Sequence, residues 1–516
     1  MTRDYKHIRK KCTSDPDAIV ALIKENDEAL AKEKARNAIL EDNAQEQAKR
    51  IAELEGNTQE QAKRISELEE RNRELEAQRK KNSTNSSKPP STDTFVPRKN
   101  RRVKGVRPVG GQKGHPGHTL EMVDNPDKIH TSKVTKCEGC GASLKDVPVI
   151  DIERRQVFDI PPQKVDVIEH QAEHKQCPHC GCHNRGKFPE GVEYSVQYGQ
   201  ALKTLMVYLS VFQLIPYERI CVFFSDVFGL SVSKATIANA LKTCNDNLAD
   251  YDKIIQQALC RASVLHVDET GFKVKKERRW LHVACTTLLT WYGHHKDRGK
   301  SATDALNILP AFKGVLVHDF WKTYLLYDCL HAICNAHLIR ELTGISEEFG
   351  QIWSDQMKEL ILDIKKEVDS ARLRFCLLSL NQIADFEARY AQIMEQGNRE
   401  NPEPEYIRPA GKRGRKKHSK PRNLLNRFDK FHDEILAFMN DFSIPFDNNL
   451  AERDIRMMKV QQKISGTFRS IEGADWFCRI RGYVSTVRKN DKPVLASIKG
   501  AFEGKPFIPA VALVSG

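Results

Sequence analysis

The sequence predicts a multidomain α/β protein, and three observations carry that expectation. At 516 residues the chain is too long for a single hydrophobic core. Two short runs rich in β-branched residues, Val264-Leu265-His266-Val267 and Val315-Leu316-Val317-His318, read as buried strands, and each ends on an acid, Asp268 and Asp319. Long helical periodicities lie on either side of these strands.

Composition narrows the class. A formal net charge of +13 favours a polyanionic partner, most simply nucleic acid. No stretch reaches about 18 uninterrupted apolar residues, so no membrane span is expected. The start, Met1-Thr2-Arg3-Asp4-Tyr5-Lys6, lacks the apolar core of a signal peptide. Fourteen cysteines do not make a disulfide scaffold in a chain of this length, and four fall in paired Cys-x-x-Cys turns, which suggests a reducing cytosol and a metal.

Residues 14–80 are charged and almost free of Gly and Pro. The run from Gln45 to Glu55 recurs nearly verbatim from Gln59 to Glu69, an offset of 59 − 45 = 14, or two heptads. Ile51, Thr58, Ile65 and Asn72 then occupy a, and Leu54, Gln61, Leu68 and Leu75 occupy d, the pattern of a coiled coil with a partly polar seam. Residues 81–118 read as a flexible linker, Asn82 to Pro90, running into a basic arm with Arg98, Lys99, Arg101 and Arg102.

A small zinc-binding domain is expected over 119–194. Cys137, Cys140, Cys177 and Cys180 offer four thiolates from two turns, a closed tetrahedral set that holds a fold and leaves no position for water. Cys182, His179 and His183 crowd the second turn and leave the ligand set open. Between the turns, 155–160 and 165–170 alternate like strands. A helical domain follows over 195–258, in which Gly229 to Leu241 has the turn-then-helix form of a helix-turn-helix, although plain helical packing explains the same pattern.

The strand ending at Asp268, closed off by Thr270-Gly271, opens the next region, 259–341. Glu269 is the nearest rival acid, but in an extended strand it points opposite to Asp268, so both cannot face one site. Two strands over 280–285 and 288–293, a helix around Thr303–Leu309, the Asp319 strand and a strand reaching Cys334-Asn335-Ala336-His337 follow in order. That is the order of a ribonuclease-H-like domain. Residues 342–439 form a helical insertion, near whose end Lys412, Arg413, Arg415, Lys416 and Lys417 make a basic block suited to DNA. The core resumes over 440–490, and 491–516 reads as a C-terminal tail.

The third acid is Glu452, on a helix whose buried side is marked by Ala451, Ile455 and Met458. Asn448, Asn449, Arg456 and Lys459 share its face by spacing, and Arg453 follows it. Two strand aspartates and a helical glutamate within a basic stripe are what metal-dependent chemistry on a phosphate backbone needs, with hard oxygen ligands suited to Mg²⁺ or Mn²⁺.

With these residues in place, the chain resembles the DDE transposases of the insertion-sequence-66 family over nearly its whole length. The resemblance rests on the coiled-coil start, Asn85-Ser86-Ser87-Lys88-Pro89-Pro90, Gly111-Gln112-Lys113-Gly114-His115, the paired Cys-x-x-Cys turns, Asp268-Glu269-Thr270, and Asp319 with Tyr324. Its most specific parts are Asn449 to Arg456 and Lys463 to Ser470. It implies that Asp268, Asp319 and Glu452 are the catalytic triad holding two ions, with Cys334 and His337 a supporting Cys-x-x-His element. The family often has Trp where this chain has Asn335. It further implies double-stranded DNA partners, namely terminal inverted repeats and target, and a homo-oligomer, at least a dimer. Accessory proteins of the same element and a cytoplasmic, nucleoid-associated place in a bacterium are implied as well. The competing readings are a non-enzymatic zinc-containing DNA-binding regulator and a ribonuclease-H-like nuclease without joining activity.

Overall fold

The computed structural model describes residues 16–80, 85, 120–161, 163–374, 377–403 and 418–513. The basic arm, apart from Asn85, and the block of Lys412, Arg413, Arg415, Lys416 and Lys417 lie outside the described residues. The chain divides into two units, Met1–Ser83 and Thr84–Gly516. In the first, α1 (Pro16–Lys80) is one uninterrupted helix of 65 residues. Proline begins it, where the missing N–H costs nothing. Ile51, Leu54, Ile65 and Leu68 along it are each more than half exposed, at 57–59%.

In the second unit the two cysteine turns are near copies. Cys137 N–H donates to Ala142 C=O and Gly141 N–H to Cys137 C=O; Cys177 N–H donates to Cys182 C=O and Gly181 N–H to Cys177 C=O. Gly141 and Gly181 close these turns at φ 77° and 70°, a region that suits glycine. Strands β1 (His174–Gln176) and β2 (His183–Arg185) pair antiparallel around the second turn. The strands expected over 155–160 and 165–170 are absent. The alternation is there, but no neighbouring segment supplies a ladder, and Val157 and Val167 stand 92% exposed.

Helices α2 (Gln200–Val207), α3 (Tyr217–Phe228), α4 (Lys234–Asn247) and α5 (Ala249–Cys260) follow. Gly229 ends α3 with positive φ, and Ser233 Oγ caps α4 by accepting the Thr236 N–H. Two helices joined by residues 229–233 thus stand where a helix-turn-helix was expected. One face of α4 is core, with Ile237, Ala240, Leu241 and Cys244 buried, while Lys234, Asn239 and Lys242 are exposed.

The mixed sheet comprises β3 (Val264–Val274), β4 (Glu277–Cys285), β5 (Thr290–His295), β6 (Val315–His318) and β7 (Leu330–Ile333), with α6 (Lys300–Ala305) between β5 and β6. Its order is β5-β4-β3-β6-β7; the first three strands form an antiparallel meander and the last two run parallel to β3. Contrary to expectation, Thr270-Gly271 does not end β3. Buried Phe272 and Val274 extend the ladder with β4 to the Val274–Glu277 pair. The strand reaching His337 is also shorter than expected. It stops at Ile333, and Cys334 caps a helix that already contains Asn335 to His337.

The remaining helices are α7 (Asn335–Phe349), α8 (Ile352–Ala371), α9 (Leu380–Glu400), α10 (Lys420–Lys430), α11 (His432–Asn440), α12 (Asn449–Ser465), α13 (Ile471–Lys489), α14 (Val494–Phe502) and α15 (Ala510–Leu513). Helices α7 to α11 share one core with the sheet: Val315, Val317, Ala332 and Ile333 pack with Leu338, Met357, Leu360, Phe428 and Leu436. The other core joins α2 to α5, the meander, α12 and α13. Residues 491–513, the described part of the expected tail, also belong to that core. Val494, Ile498, Ala501 and Phe502 are buried, α14 packs on α2, and α15 packs on α5.

Gly314 starts β6 beside β3. A Cβ there falls 2.5 Å from the carbonyl oxygens of both Ala262 and Ser263, which are backbone and cannot rotate aside. Gly314→Ala is therefore expected to cost about 1–3 kcal/mol, read as a lower unfolding midpoint in urea.

Candidate active site

Register sets the site. Val264 pairs with Val315 in parallel and Val315 with Leu330, offsets of 315 − 264 = 51 and 330 − 315 = 15. Carried on along the strands, these offsets align Asp268 with Asp319 and Asp319 with Cys334, all three on one face of the sheet. Adjacent strands lie about 4.8 Å apart. The Cys334 N–H bonds to the His318 C=O at 2.9 Å, so the alignment persists past the last formal pair.

Helix α12 brings Glu452 to the same end. Its cap residue, Asn448, is 2% exposed. Asn448 Nδ2 donates to the Val267 C=O at 2.8 Å, and its Oδ1 accepts from His266 Nδ1 at 2.9 Å. Its backbone N–H points at Cys334 Sγ, 3.2 Å away. Further along α12, Asp454 accepts from Thr290 Oγ1 at 3.0 Å and pairs with Lys489 at 2.7 Å. The helix is thus pinned to β3 at its start and to β5 and α13 one turn later.

Charge in the site is concentrated. Burial pushes the Asp268 carboxyl well above the usual carboxylate range, and the charges of Glu269, Asp319 and Glu452 push the same way, opposed by the Glu269 N–H. That N–H donates to Asp268 Oδ1 at 2.8 Å, while Asp319 Oδ1 accepts the Trp321 N–H at 2.9 Å. Glu452 occupies the first turn of α12, where the helix dipole favours a carboxylate. Its Oε1 is buried with no hydrogen-bond partner. His337 Nδ1 lies 3.6 Å from that oxygen, and Arg340 lies 3.8 Å from Oε2. Asp319 and Glu452 both act on Asp268, but the oxygens of the three acids are not all within 4.8 Å of one another.

Glu269 takes the face opposite Asp268, as alternation requires. Its side chain is 2% exposed, bonded to Tyr324 Oη at 2.6 Å and to Arg298 Nε at 3.0 Å. Burial raises its carboxyl, and Asp319 adds to the rise. Arg298 in turn lies between Trp280 and Trp321, 4.8 and 4.7 Å from their ring centres.

The expected common face of Glu452, Asn448, Asn449, Arg456 and Lys459 is divided in the structure. Asn448 turns inward, while exposed Asn449 donates to Asp447 Oδ2 at 2.6 Å. Lys459 donates to the Gly271 C=O at 2.6 Å, and burial lowers its pKa. Arg453 and Arg456 are exposed. Glu452 faces His337 and Arg340 rather than Arg456. Asn335 is 1% exposed and its amide donates to the Ile435 C=O, so it offers no stacking surface. His266, Arg298 and Arg340 escaped the sequence reading. His266 precedes Asp268 by two on the same strand face, and Arg340 follows His337 by three on one helix, which are the signals that point to them.

Three donor sets bear on metal binding. Cys334, His337 and Glu452 bring a sulfur, a nitrogen and an oxygen within 4.8 Å of one another. Burial pushes the Cys334 thiol up to about 12. In the cysteine turns, the N–H groups of Cys140 and Gly139 hold Cys137 below the usual thiol range, and those of Cys180 and His179 do the same for Cys177. Thiolates favoured in this way suit zinc. The structure does not gather sulfurs from both turns within 4.8 Å. At Asp268 the three like charges, and a Glu452 oxygen without a hydrogen bond among the described residues, fit hard cations bound among the acids.

Residues 195–476 match the family model described as the transposase IS66 family. Residues 135–181 match the zinc-finger binding domain of transposase IS66, and 21–121 match a family of unknown function, DUF6444. No curated protein matches the chain. No helix among the described residues is long and apolar enough to cross a membrane.

Because its folded-state carboxyl is raised, Asp268 stabilises the fold below the ordinary aspartate pKa of about 3.9 and loses that contribution as pH rises through the raised value. In buffer free of divalent ions, the urea midpoint of the wild type should fall over that window more steeply than that of Asp268→Asn. Parallel profiles for the two proteins would refute the crowding of charge at this position.

Proposed function

The chain belongs to the transposase IS66 family, and from that premise we propose that it binds the ends of an insertion sequence and catalyses metal-dependent strand cleavage and strand transfer. The observation that supports this reading most is the strand register that aligns Asp268 with Asp319, under a helix that carries Glu452. The sheet order, three antiparallel strands followed by two parallel ones, is what a ribonuclease-H-like core requires. Cleavage and joining both exchange one phosphodiester oxygen for another, so a single site serves water first and a DNA 3′-OH afterwards.

Asp268, Asp319 and Glu452 would hold two ions, Mg²⁺ or Mn²⁺, through carboxylate oxygens. Such ions, when bound, polarise the phosphoryl oxygens and make the attacking hydroxyl more acidic. The chain does the rest. Asn448 fixes the approach of Glu452 to Asp268. Arg298 and Tyr324 hold Glu269 on the far face, away from the nucleophile. Arg340 offsets negative charge beside Glu452.

The rest of the chain supplies binding. Exposed Arg453 and Arg456 contact phosphates, and Lys412, Arg413, Arg415, Lys416 and Lys417 extend the grip. Lys459, bonded to the Gly271 carbonyl, is available only if it leaves that bond. The pair α3–α4 acts as a helix-turn-helix-like reader. Cys137, Cys140, Cys177 and Cys180 hold a structural Zn²⁺. The exposed seam of α1 pairs with another copy, giving at least a dimer. Accessory proteins of the same element are further partners.

Asp268→Asn should lower Mg²⁺-dependent nicking of a labelled element end by more than about 1000-fold, equal to about 4 kcal/mol, while retaining end binding in a gel-shift assay. Undiminished nicking by this variant would overturn the assignment. A protein that nicks but never joins a 3′-OH end to target DNA is a nuclease only. One that binds ends without nicking in Mg²⁺ is a regulator. Arg456→Ala should weaken binding alike for all sequences and reduce the slope of log K against log salt by about one.

A further inference from the structure

Glu452 has a second set of neighbours that phosphodiester chemistry does not use. Cys334 caps α7 and His337 lies one turn along it, so both side chains meet the start of α12. Sγ of Cys334 is 3.3 Å from His337 Nδ1, and that nitrogen is 3.6 Å from Glu452 Oε1. With Zn–S near 2.3 Å and Zn–N or Zn–O near 2.0–2.1 Å, a tetrahedral ion has ligand–ligand edges of about 3.4–3.6 Å. Two of the three edges here are close to that size without any ion. Glu452 Oε1 is also buried and, among the described residues, without a hydrogen-bond partner, an omission that calls for an explanation. Arg340 faces the other oxygen, Oε2, and leaves Oε1 to the cluster.

We infer that Cys334, His337 and Glu452 form a separate site for a soft divalent cation of the Zn²⁺ class, and that filling it removes Glu452 from the acids that serve phosphodiester exchange. On binding, the Cys334 thiol gives its proton to solvent, and the thiolate, the neutral imidazole and the carboxylate each donate an electron pair. Sulfur selects zinc over magnesium, so excess Mg²⁺ does not empty the site. The inhibitory half of this inference rests on the function proposed above; the binding half does not.

The test titrates full-length protein carrying one equivalent of Zn²⁺, enough for the four-cysteine site alone, with Co²⁺ in excess Mg²⁺ and follows thiolate-to-cobalt charge-transfer absorption. The parent should take up a cobalt ion whose band is missing in Cys334→Ser, and whose affinity falls by more than about tenfold in His337→Gln. Circular dichroism checks that both variants fold, and His337→Gln alone decides the matter if the serine variant does not. In parallel, added Zn²⁺ should inhibit nicking of an element end by the parent. The midpoint of inhibition should rise more than about tenfold in each variant, measured against that variant's own zinc-free rate. Identical cobalt bands in parent and variants overturn the site. A cobalt band that depends on Cys334, with nicking indifferent to zinc, overturns the inhibitory role and leaves the site standing. Should no preparation nick DNA, the cobalt titration still decides the binding half.

Discussion

One buried amide holds the candidate site together. Asn448 spends its side chain on the Val267 carbonyl and His266, and its N–H on Cys334 Sγ. In one residue it joins the strand that carries the first acid, the corner after β7 and the helix of the third acid. Glu452 follows Asp268 by 452 − 268 = 184 positions. Nothing local could fix their approach, so a long-range contact must. Removing a buried partner costs about 1–3 kcal/mol for each polar group left unsatisfied. Here two groups, the Val267 carbonyl and the His266 ring, depend on one side chain. The second clamp, Asp454 with Thr290 and Lys489, then sets the direction of α12 across the meander.

The clamp has an electrostatic price. It drives Glu452 toward a place where Asp268, Glu269 and Asp319 already crowd one another. The fold relieves part of that crowding. Glu269 is drawn off by Arg298 and Tyr324, Glu452 sits in a helix N-terminal turn beside Arg340, and Asp319 takes a backbone N–H. Among the described residues Asp268 receives only the N–H of its own neighbour. It is the acid most in need of a positive charge, which is the condition under which bound cations stabilise a structure as well as serve its chemistry.

Much of this arrangement was legible in the sequence. The apolar runs before Asp268 and Asp319 announced two strands, and their shared end followed from parallel pairing. Ala451, Ile455 and Met458 marked the buried side of α12 correctly. Periodicity failed where the tertiary partner decides. Residues 155–160 and 165–170 alternate as strands do, yet nothing pairs with them. Cys334 to His337 continue an apolar strand in sequence, yet α7 begins there because the α12 cap occupies the space beyond β7. Residues 491–516 read as a tail, but Val494, Ile498, Ala501 and Phe502 are buried, with α14 packed on α2 and α15 on α5. Spacing alone grouped Asn448 with Arg456, whereas burial separates them.

The helices between residues 335 and 440 interrupt the α/β core in sequence but not in space. Val315, Val317, Ala332 and Ile333, the residues behind Asp319 and Cys334, are covered by that segment. A trimmed chain joined across the gap would present a greasy sheet surface to water immediately beside two of the site's side chains, on the same face. The segment therefore has no standing as a detachable module. Relatives that dispense with it would need some other roof over the same strands, and a chimera that borrows only the sheet and α12 would inherit the acids without the floor that holds them level.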